Sequence, residues 1–269
     1  MNILYFDCLA GISADMVVGA LLDMGLSAKM LARELSKVEL GAVYDIESEK
    51  VEKNGVWATA FSVSVRSAPQ WYSTQYLVSQ VLDSGLENRV KELAVRILEC
   101  YIRAEKTVFK GTNEEDALDG ISAVETLVGF LAATIGISYM GADVIISSPL
   151  TEGSGVVQTK HGLMRVPVPM VMECLRTAGA PIQICEERTQ LITPSGAAIV
   201  CALAEQFDEL PSMTVRGIGF GAGRKDLDTR ANVLRLVLGQ NEESFFSKSI
   251  CPAPKRELWQ PYTPHAFRE

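Results

Sequence analysis

The opening stretch of the chain commits it to a sheet with helices packed on it. Residues 3–6 form a short apolar run that ends on Asp7; after Gly11, Ser13 and Asp15 an amphipathic stretch runs to Leu22 and stops at Gly25. A short continuous apolar run suits a buried strand, and the 3.6-residue period that follows suits a helix. A strand tied to a helix by a tight Gly-bearing turn buries both apolar faces only when further strands and helices join it.

Those elements follow in order. Ser27 caps a second helix that reaches about Lys37. Residues 44–51 and 57–65 are β-rich, and Asn54-Gly55 between them predicts a type I′ hairpin turn, because both central residues need positive φ. Helical periods cover residues 71–82, 87–106 and 121–135. Residues 143–147, 155–159 and 163–166 have strand character, a helix follows Pro167-Val168-Pro169, and another opens at Pro194 and runs through Ala204. Strands at 213–220 and 232–238 close the pattern. Interleaved strands and helices with at least one hairpin predict an α/β (α+β) fold on a mixed sheet. Residues 1–240 are expected to form one mixed region or two lobes, 1–110 and 111–240, and the proline-bearing tail 241–269 an extended arm or a disordered end.

Composition removes several function classes. With 25 Lys+Arg against 33 Asp+Glu the formal charge is −8, so the basic footprint that nucleic-acid binding needs is missing. The two histidines, His161 and His265, cannot build a three-His zinc centre within one subunit. A metal would have to use carboxylates, thiolates or a partner. The six cysteines hold no CxxC pair, no basic, apolar leader precedes the first strand, and Glu125 interrupts the apolar stretch 121–137 below the length of a membrane helix. The expectation is a cytoplasmic protein with reduced thiols and no membrane contact.

Five local features carry candidate chemistry, each beside a plainer alternative. Asp7 and Asp15 flank a Gly-bearing turn, where two carboxylates could hold a hard cation and backbone N–H groups an anion; alternatively Ser13 or Asp15 only caps a helix. Gly217, Gly219, Gly221 and Gly223 alternate with apolar residues, which usually means close backbone approach, while Arg224 and Lys225 behind them leave room for a phosphate. His161 sits in a loop between two strands, catalytic or structural. Thr193 and Ser195 place two hydroxyls at a helix start, suited to close packing or to a carboxylate or phosphate. Glu114, Glu115, Asp116, Asp119 and Glu125 enter a helix as a solvated acidic face or a metal site.

Taken together and in order, residues 7–20 (DCLAGISADMVVGA), 161–169 (HGLMRVPVP), 193–199 (TPSGAAI), 219–223 (GFGAG) and 232–239 (NVLRLVLG) resemble the successive motifs of the LarC nickel-insertion family. The resemblance covers about residues 1 to 240. It implies insertion of nickel into a pyridinium bisthiocarboxylate mononucleotide, forming a nickel–carbon bond with CTP hydrolysed, a lyase-type metal chelatase reaction in nickel-pincer cofactor biosynthesis. It implies Asp7, Asp15 and His161 as catalytic residues, and Gly11, Ser13, Thr193, Ser195, Gly219, Gly221 and Gly223 as residues contacting the nucleotide. Asp7, Cys8, Asp15, His161 and Asp116 are the implied nickel ligands. CTP with magnesium would need a separate C-terminal domain as partner, and a homo-oligomer is the implied assembly. The chain departs from the family's HEVGAVDSIVD-like segment, with Asp116, Ala117, Ser122 and Thr126 at its His, Glu and two Asp positions; Gln190, Ala14 and Arg165 replace a Glu, a Gly and a Pro elsewhere. A non-catalytic relative acting as a ligand-binding or regulatory partner is the alternative, and a generic phosphate-ligand binding protein a third reading.

Overall fold

The computed structural model describes residues 1–109 and 117–241. In chain order these form β1 (Asn2–Asp7), α1 (Ala14–Asp23), α2 (Ala28–Leu35), a long hairpin of β2 (Val43–Lys53) and β3 (Val56–Ser67), β4 (Trp71–Ser73), α3 (Thr74–Asp83) and α4 (Asn88–Val108). Next come β5 (Ala117–Asp119), α5 (Gly120–Tyr139), β6 (Val144–Ser147), β7 (Leu150–Glu152), β8 (Val156–Thr159), β9 (Gly162–Arg165) and α6 (Pro169–Ala178). The last are β10 (Ile182–Ile184), α7 (Pro194–Leu203), β11 (Gln206–Phe207), β12 (Thr214–Ala222) and β13 (Val233–Gln240).

Seven strands make one mixed sheet in the order β11-β6-β1-β13-β12-β3-β2, the α/β architecture expected. β1 lies parallel to β6 and antiparallel to β13. A division at residue 110 has no counterpart in this sheet, which takes β1, β2 and β3 from one side of that point and β6, β11, β12 and β13 from the other. Successive side chains of a strand point to opposite faces. Leu4 and Phe6 accordingly join Leu234, Leu236 and the helices in the main core, while Ile3, Tyr5, Ile146 and Val237 form a small cluster on the other face. At the hairpin tip Asn54 has φ 47° and Gly55 φ 81°, the backbone that the Asn-Gly pair required.

Helix α5 is the centre of the helical layer. Its 20 residues, with an 18-residue window of mean hydropathy 1.7, are long and apolar enough to cross a bilayer, which corrects the expectation that no segment reaches that length. Glu125 does not interrupt it. Here α1, α2, α4, α7 and β3 cover it, and Leu127, Val128, Phe130, Ala132 and Ala133 are fully or almost fully buried.

The expected Ser27 cap holds, accepting from Met30 N–H, and of the alternatives Ser13 and Asp15 it is Ser13 that caps α1, accepting from Met16 N–H; Thr193 caps α7 by accepting from Gly196 N–H. Residues 71–82 differ from expectation. Residues 71 to 73 pair with β5 as a short strand, and the helix begins only at Thr74, where Ser73 caps it by accepting from Tyr76 N–H.

The glycine alternation of β12 proves to be a seat for α1. A Cβ on Gly219 would lie 2.0 Å from the Ala20 carbonyl oxygen, one on Gly221 1.7 Å from that of Met16, and one on Gly19 2.2 Å from that of Thr59. The far end of α1 is pinned by Asp23, which accepts from Phe220 N–H at 2.9 Å and from the Thr59 hydroxyl at 2.9 Å. Gly221→Ala should therefore force α1 off the sheet and cost about 3 kcal/mol or more, at the upper end of overpacking effects. Urea unfolding of the variant checks it; a loss of a few tenths would show that α1 is free to slide.

Candidate functional site

β1 and β6 end side by side, Phe6 pairing with Ser147. β12 and β1 are both antiparallel to β13, and β3 is parallel to β12. The carboxyl ends of β1, β6 and β12 thus share one end of the sheet, the place where ligands bind in open α/β sheets.

Two loops interlock at that end. Ile12 N–H donates to the Leu191 carbonyl at 3.1 Å, and Thr193 N–H donates to the Ile12 carbonyl at 3.0 Å. Gly11, at φ +81°, has no room for a side chain, since its Cβ would lie 2.2 Å from the Leu191 oxygen; a Cβ on Gly196 would lie 2.2 Å from the Ile12 oxygen. This contact delivers the N-termini of α1 and α7 side by side, with Ser13 and Thr193 as their caps and Ser195 Oγ 3.1 Å from Thr193 Oγ1. Two helix N-termini together make a positively polarised surface with hydroxyls on it. Gly11, Ser13, Thr193 and Ser195 are thus gathered in one place.

Asp15, in the first turn of α1, meets Arg224 just beyond β12. Nη2 and Nε of Arg224 lie 2.8 and 3.0 Å from Asp15 Oδ2. Burial raises the Asp15 carboxyl above the usual range, and Arg224 opposes that rise. Glu125 on α5 stands in the same field: partial burial pushes its carboxyl up, Arg224 pulls it down, and Asp15 and Asp119 push it up again. Asp119 caps α5 by accepting from Ser122 N–H at 3.2 Å. Asp7, at the end of β1, is ion-paired with Arg235 of β13.

Arg224 also borders an open groove. β3 and β12 pair only at Thr59 and Gly221, and where they part Gly223 and Arg224 face Ser48, Glu49, Lys53 and Ser62 across a space of about 680 Å³. The hairpin tip holds the loop that carries Arg224: Lys53 pairs with Asp226 at 2.7 Å, and Asn54 Nδ2 donates to the carbonyls of Leu227 and Arg230, each at 3.0 Å.

The remaining sequence candidates fall elsewhere. Gly219 and Gly221 turn toward α1, and Gly223 is filled by the Asn232 side chain, so the structure accounts for all three by packing. Cys8 is fully buried, with Sγ 3.7 Å from Ser147 Oγ, and burial pushes its thiol up to about 12. A metal binding there would have to displace the thiol proton. His161 lies at the β8–β9 turn, stacked on Phe109 with ring centroids 3.8 Å apart, and partial burial together with Lys160 lowers its basicity. Among the described residues none of its contacts joins it to Asp7 or Asp15. Asp116, Glu114 and Glu115 lie outside the described residues. Among the described residues no group of three His, Cys, Asp or Glu side chains is arranged to hold a metal by itself.

Sequence reasoning missed Glu152. It is 0% exposed at the end of β7; its Oε1 accepts from the N–H groups of Gly153, Leu191 and Ile192 at 2.9, 2.6 and 3.2 Å, while Oε2 has no partner among the described residues. This carboxyl organises the loop that interlocks with Gly11. No apolar run marked it in the sequence, where Ser147-Ser148-Pro149-Leu150-Thr151 precede Glu152.

A family model described as "Nickel insertion protein" matches residues 4–252. A "Putative nickel insertion protein" from Geobacter sp. (strain M21) is 39% identical over 244 residues, 90% of this chain and 63% of that protein. Its counterpart in Citrifermentans bemidjiense is 38% identical over 245 residues, 91% and 63% of the two chains. A "Pyridinium-3,5-bisthiocarboxylic acid mononucleotide nickel insertion protein" from Acetivibrio thermocellus is 33% identical over 252 residues, 90% and 61%. The chain therefore spans less than two thirds of the length of these relatives. No solved structure matches it.

Burial raises the Glu152 carboxyl above its usual range, against the three backbone hydrogen bonds that lower it. The native state then binds more protons than the unfolded chain as pH rises from the ordinary Glu value, so Glu152 makes stability decline through that window. Glu152→Gln cannot ionise and should lack this decline. Chemical denaturation at about pH 5 and about pH 8 should show the variant losing less stability between the two than the wild type; equal losses would mean that Glu152 titrates normally.

Proposed function

The chain belongs to the nickel insertion protein family, and from that membership we propose that it handles nickel in the maturation of a nickel-pincer nucleotide, with a pyridinium bisthiocarboxylate mononucleotide as acceptor. A relative carries that substrate in its name. The observation that supports the reading best is the double position of Arg224, paired with Asp15 beside Glu125 and bordering the groove at the same time.

In this reading the groove takes the mononucleotide. Its phosphate faces Arg224 and the paired N-termini of α1 and α7, where Ser13 and one of the hydrogen-bonded Thr193 and Ser195 hydroxyls keep a proton available to donate. Nickel arrives as cargo. Asp15 and Glu125 meet it once Arg224 turns toward the phosphate, and Asp7 is a further carboxylate at the same end of the sheet. Carboxylates hold nickel less firmly than softer sulfur donors do. The two thiocarboxylates of the acceptor therefore draw the ion onward, and the protein needs no closed metal cage of its own. Cys8 and His161 have no part in this transfer. The CTP-dependent step, with magnesium, uses a LarC C-terminal domain, and the protein works in the cytoplasm as a homo-oligomer.

The test is calorimetry with nickel chloride and with the mononucleotide. The wild type should bind nickel at about one equivalent, and Asp15→Asn should weaken that binding about tenfold, ~1.4 kcal/mol. Arg224→Ala should act in opposite directions, tightening nickel binding by removing the competing cation and weakening the nucleotide. If Arg224→Ala leaves both affinities unchanged, the reading is wrong.

A further inference from the structure

One aromatic side chain beside α5 has no part in the proposed nickel chemistry. Trp71 stands on β4 directly opposite Asp119 on β5, so the two side chains share one face of that ladder. The backbone around the indole is fixed. Gly120 N–H donates to the Gln70 carbonyl at 3.0 Å, a Cβ on Gly120 would lie 1.7 Å from the Pro69 oxygen, and the buried Tyr72 donates from its hydroxyl to the Leu40 carbonyl at 2.6 Å. Between these anchors Trp71 remains 53% exposed. A ring pinned at its backbone and kept out of the core is ready for a planar partner.

The face that Trp71 shares is the one Asp119 turns toward α5, whose first turn it caps by accepting from Ser122 N–H at 3.2 Å. Ile121, Ser122 and Glu125 are exposed and, at spacings of three and four, lie along one stripe of the helix. The stripe closes at Gly129, where a Cβ would lie 3.1 Å from that of Ala14. Ala14 opens α1, and next to it Asp15 pairs with Arg224. From Ile121 to Gly129 the helix rises about 12 Å, a length that a ring, a ribose and a phosphate in series fill. This shelf has the indole at one end, Arg224 at the other and Glu125 between them.

We propose that Trp71 is the stacking platform for the pyridinium ring of the mononucleotide, laying it along α5 beside Glu125. The inference rests on the functional reading and adds to it the residue that selects the ring. The ring is planar and its quaternary nitrogen makes it cationic, and among aromatic side chains the face of an indole attracts a cation most strongly. Asp119 and Glu125 add negative charge beside it, whereas Arg224 repels a cation and draws a phosphate. The two ends of the shelf therefore fix the direction of the substrate, with the thiocarboxylates near the carboxylates that deliver nickel.

The test is fluorescence titration of the full chain with the nickel-free mononucleotide, with affinities from calorimetry. A pyridinium ring stacked on an indole accepts an electron from its excited state and quenches its emission, so binding should quench the wild type. Trp71→Phe should lose that quenching, although Trp57 and Trp259 remain, and should keep its affinity within about threefold of the wild type. Trp71→Leu should bind the mononucleotide about tenfold more weakly, while ribose 5-phosphate, which has the phosphate but no ring, should bind both proteins equally. Unchanged mononucleotide affinity in Trp71→Leu, or quenching that survives Trp71→Phe, would overturn the proposal and leave the functional reading standing. An equal loss for ribose 5-phosphate would make the part of Trp71 structural and overturn it too. If Trp71→Leu fails to fold, the quenching in Trp71→Phe still decides. A wild type that binds no mononucleotide would overturn the functional reading and this inference together.

Discussion

The contact on which the rest of the molecule depends is the one between the backbone of α1 and the backbone of the sheet. Gly19 lies against the Thr59 carbonyl, and Gly219 and Gly221 lie against the carbonyls of Ala20 and Met16. With side chains at these points the helix would ride further from the sheet. At its actual depth, the first turn of α1 reaches Arg224 on the loop after β12, and its last residue, Asp23, takes a hydrogen bond from Phe220 N–H. The same device operates between the loops, where Gly11 and Gly196 let the segment before α1 and the segment before α7 touch backbone to backbone. Glycine serves here by lacking a Cβ, and at Gly11 by positive φ as well.

Charge at this end of the sheet is arranged around carboxylates that each have an assigned partner. Asp7 has Arg235, Asp15 has Arg224, and Asp226 has Lys53. Exposed pairs of this kind contribute little to stability; their effect is to set geometry and to keep acidic groups compensated without a ligand. Glu152 is handled differently. It sits among apolar residues with one oxygen saturated by three N–H groups and the other bare, so the cost of burying it is carried by the loop it organises.

Much of the architecture was legible because it rests on local chemistry. Asn54-Gly55 dictated the hairpin turn, Ser13, Ser27 and Thr193 marked the helix starts, and the 3.6-residue period marked α5 despite Glu125. The strands that escaped notice, β5, β7, β10 and β11, have two or three residues each, too few for a period to show. Residues 71–73 read as helix because their strand character comes from pairing with β5. The candidate site was half legible: Asp15, Ser13, Thr193 and Ser195 do come together, whereas His161 stacks on Phe109 and Cys8 is sealed in the core.

The sequence by itself determined the order of strands and helices, the hairpin, the caps and, through its collinear motifs, the family, because each depends on neighbouring residues or on a pattern along the chain. It left open what the alternating glycines were for, since a phosphate and a helix ask the same thing of a strand, namely the absence of a Cβ. Only the tertiary structure showed α1 filling that face. It alone paired Asp15 with Arg224 across 209 positions and Glu152 with Leu191 across 39. Which charge faces which, and which carboxyl loses its water, depend on distances in space that no spacing along the chain encodes.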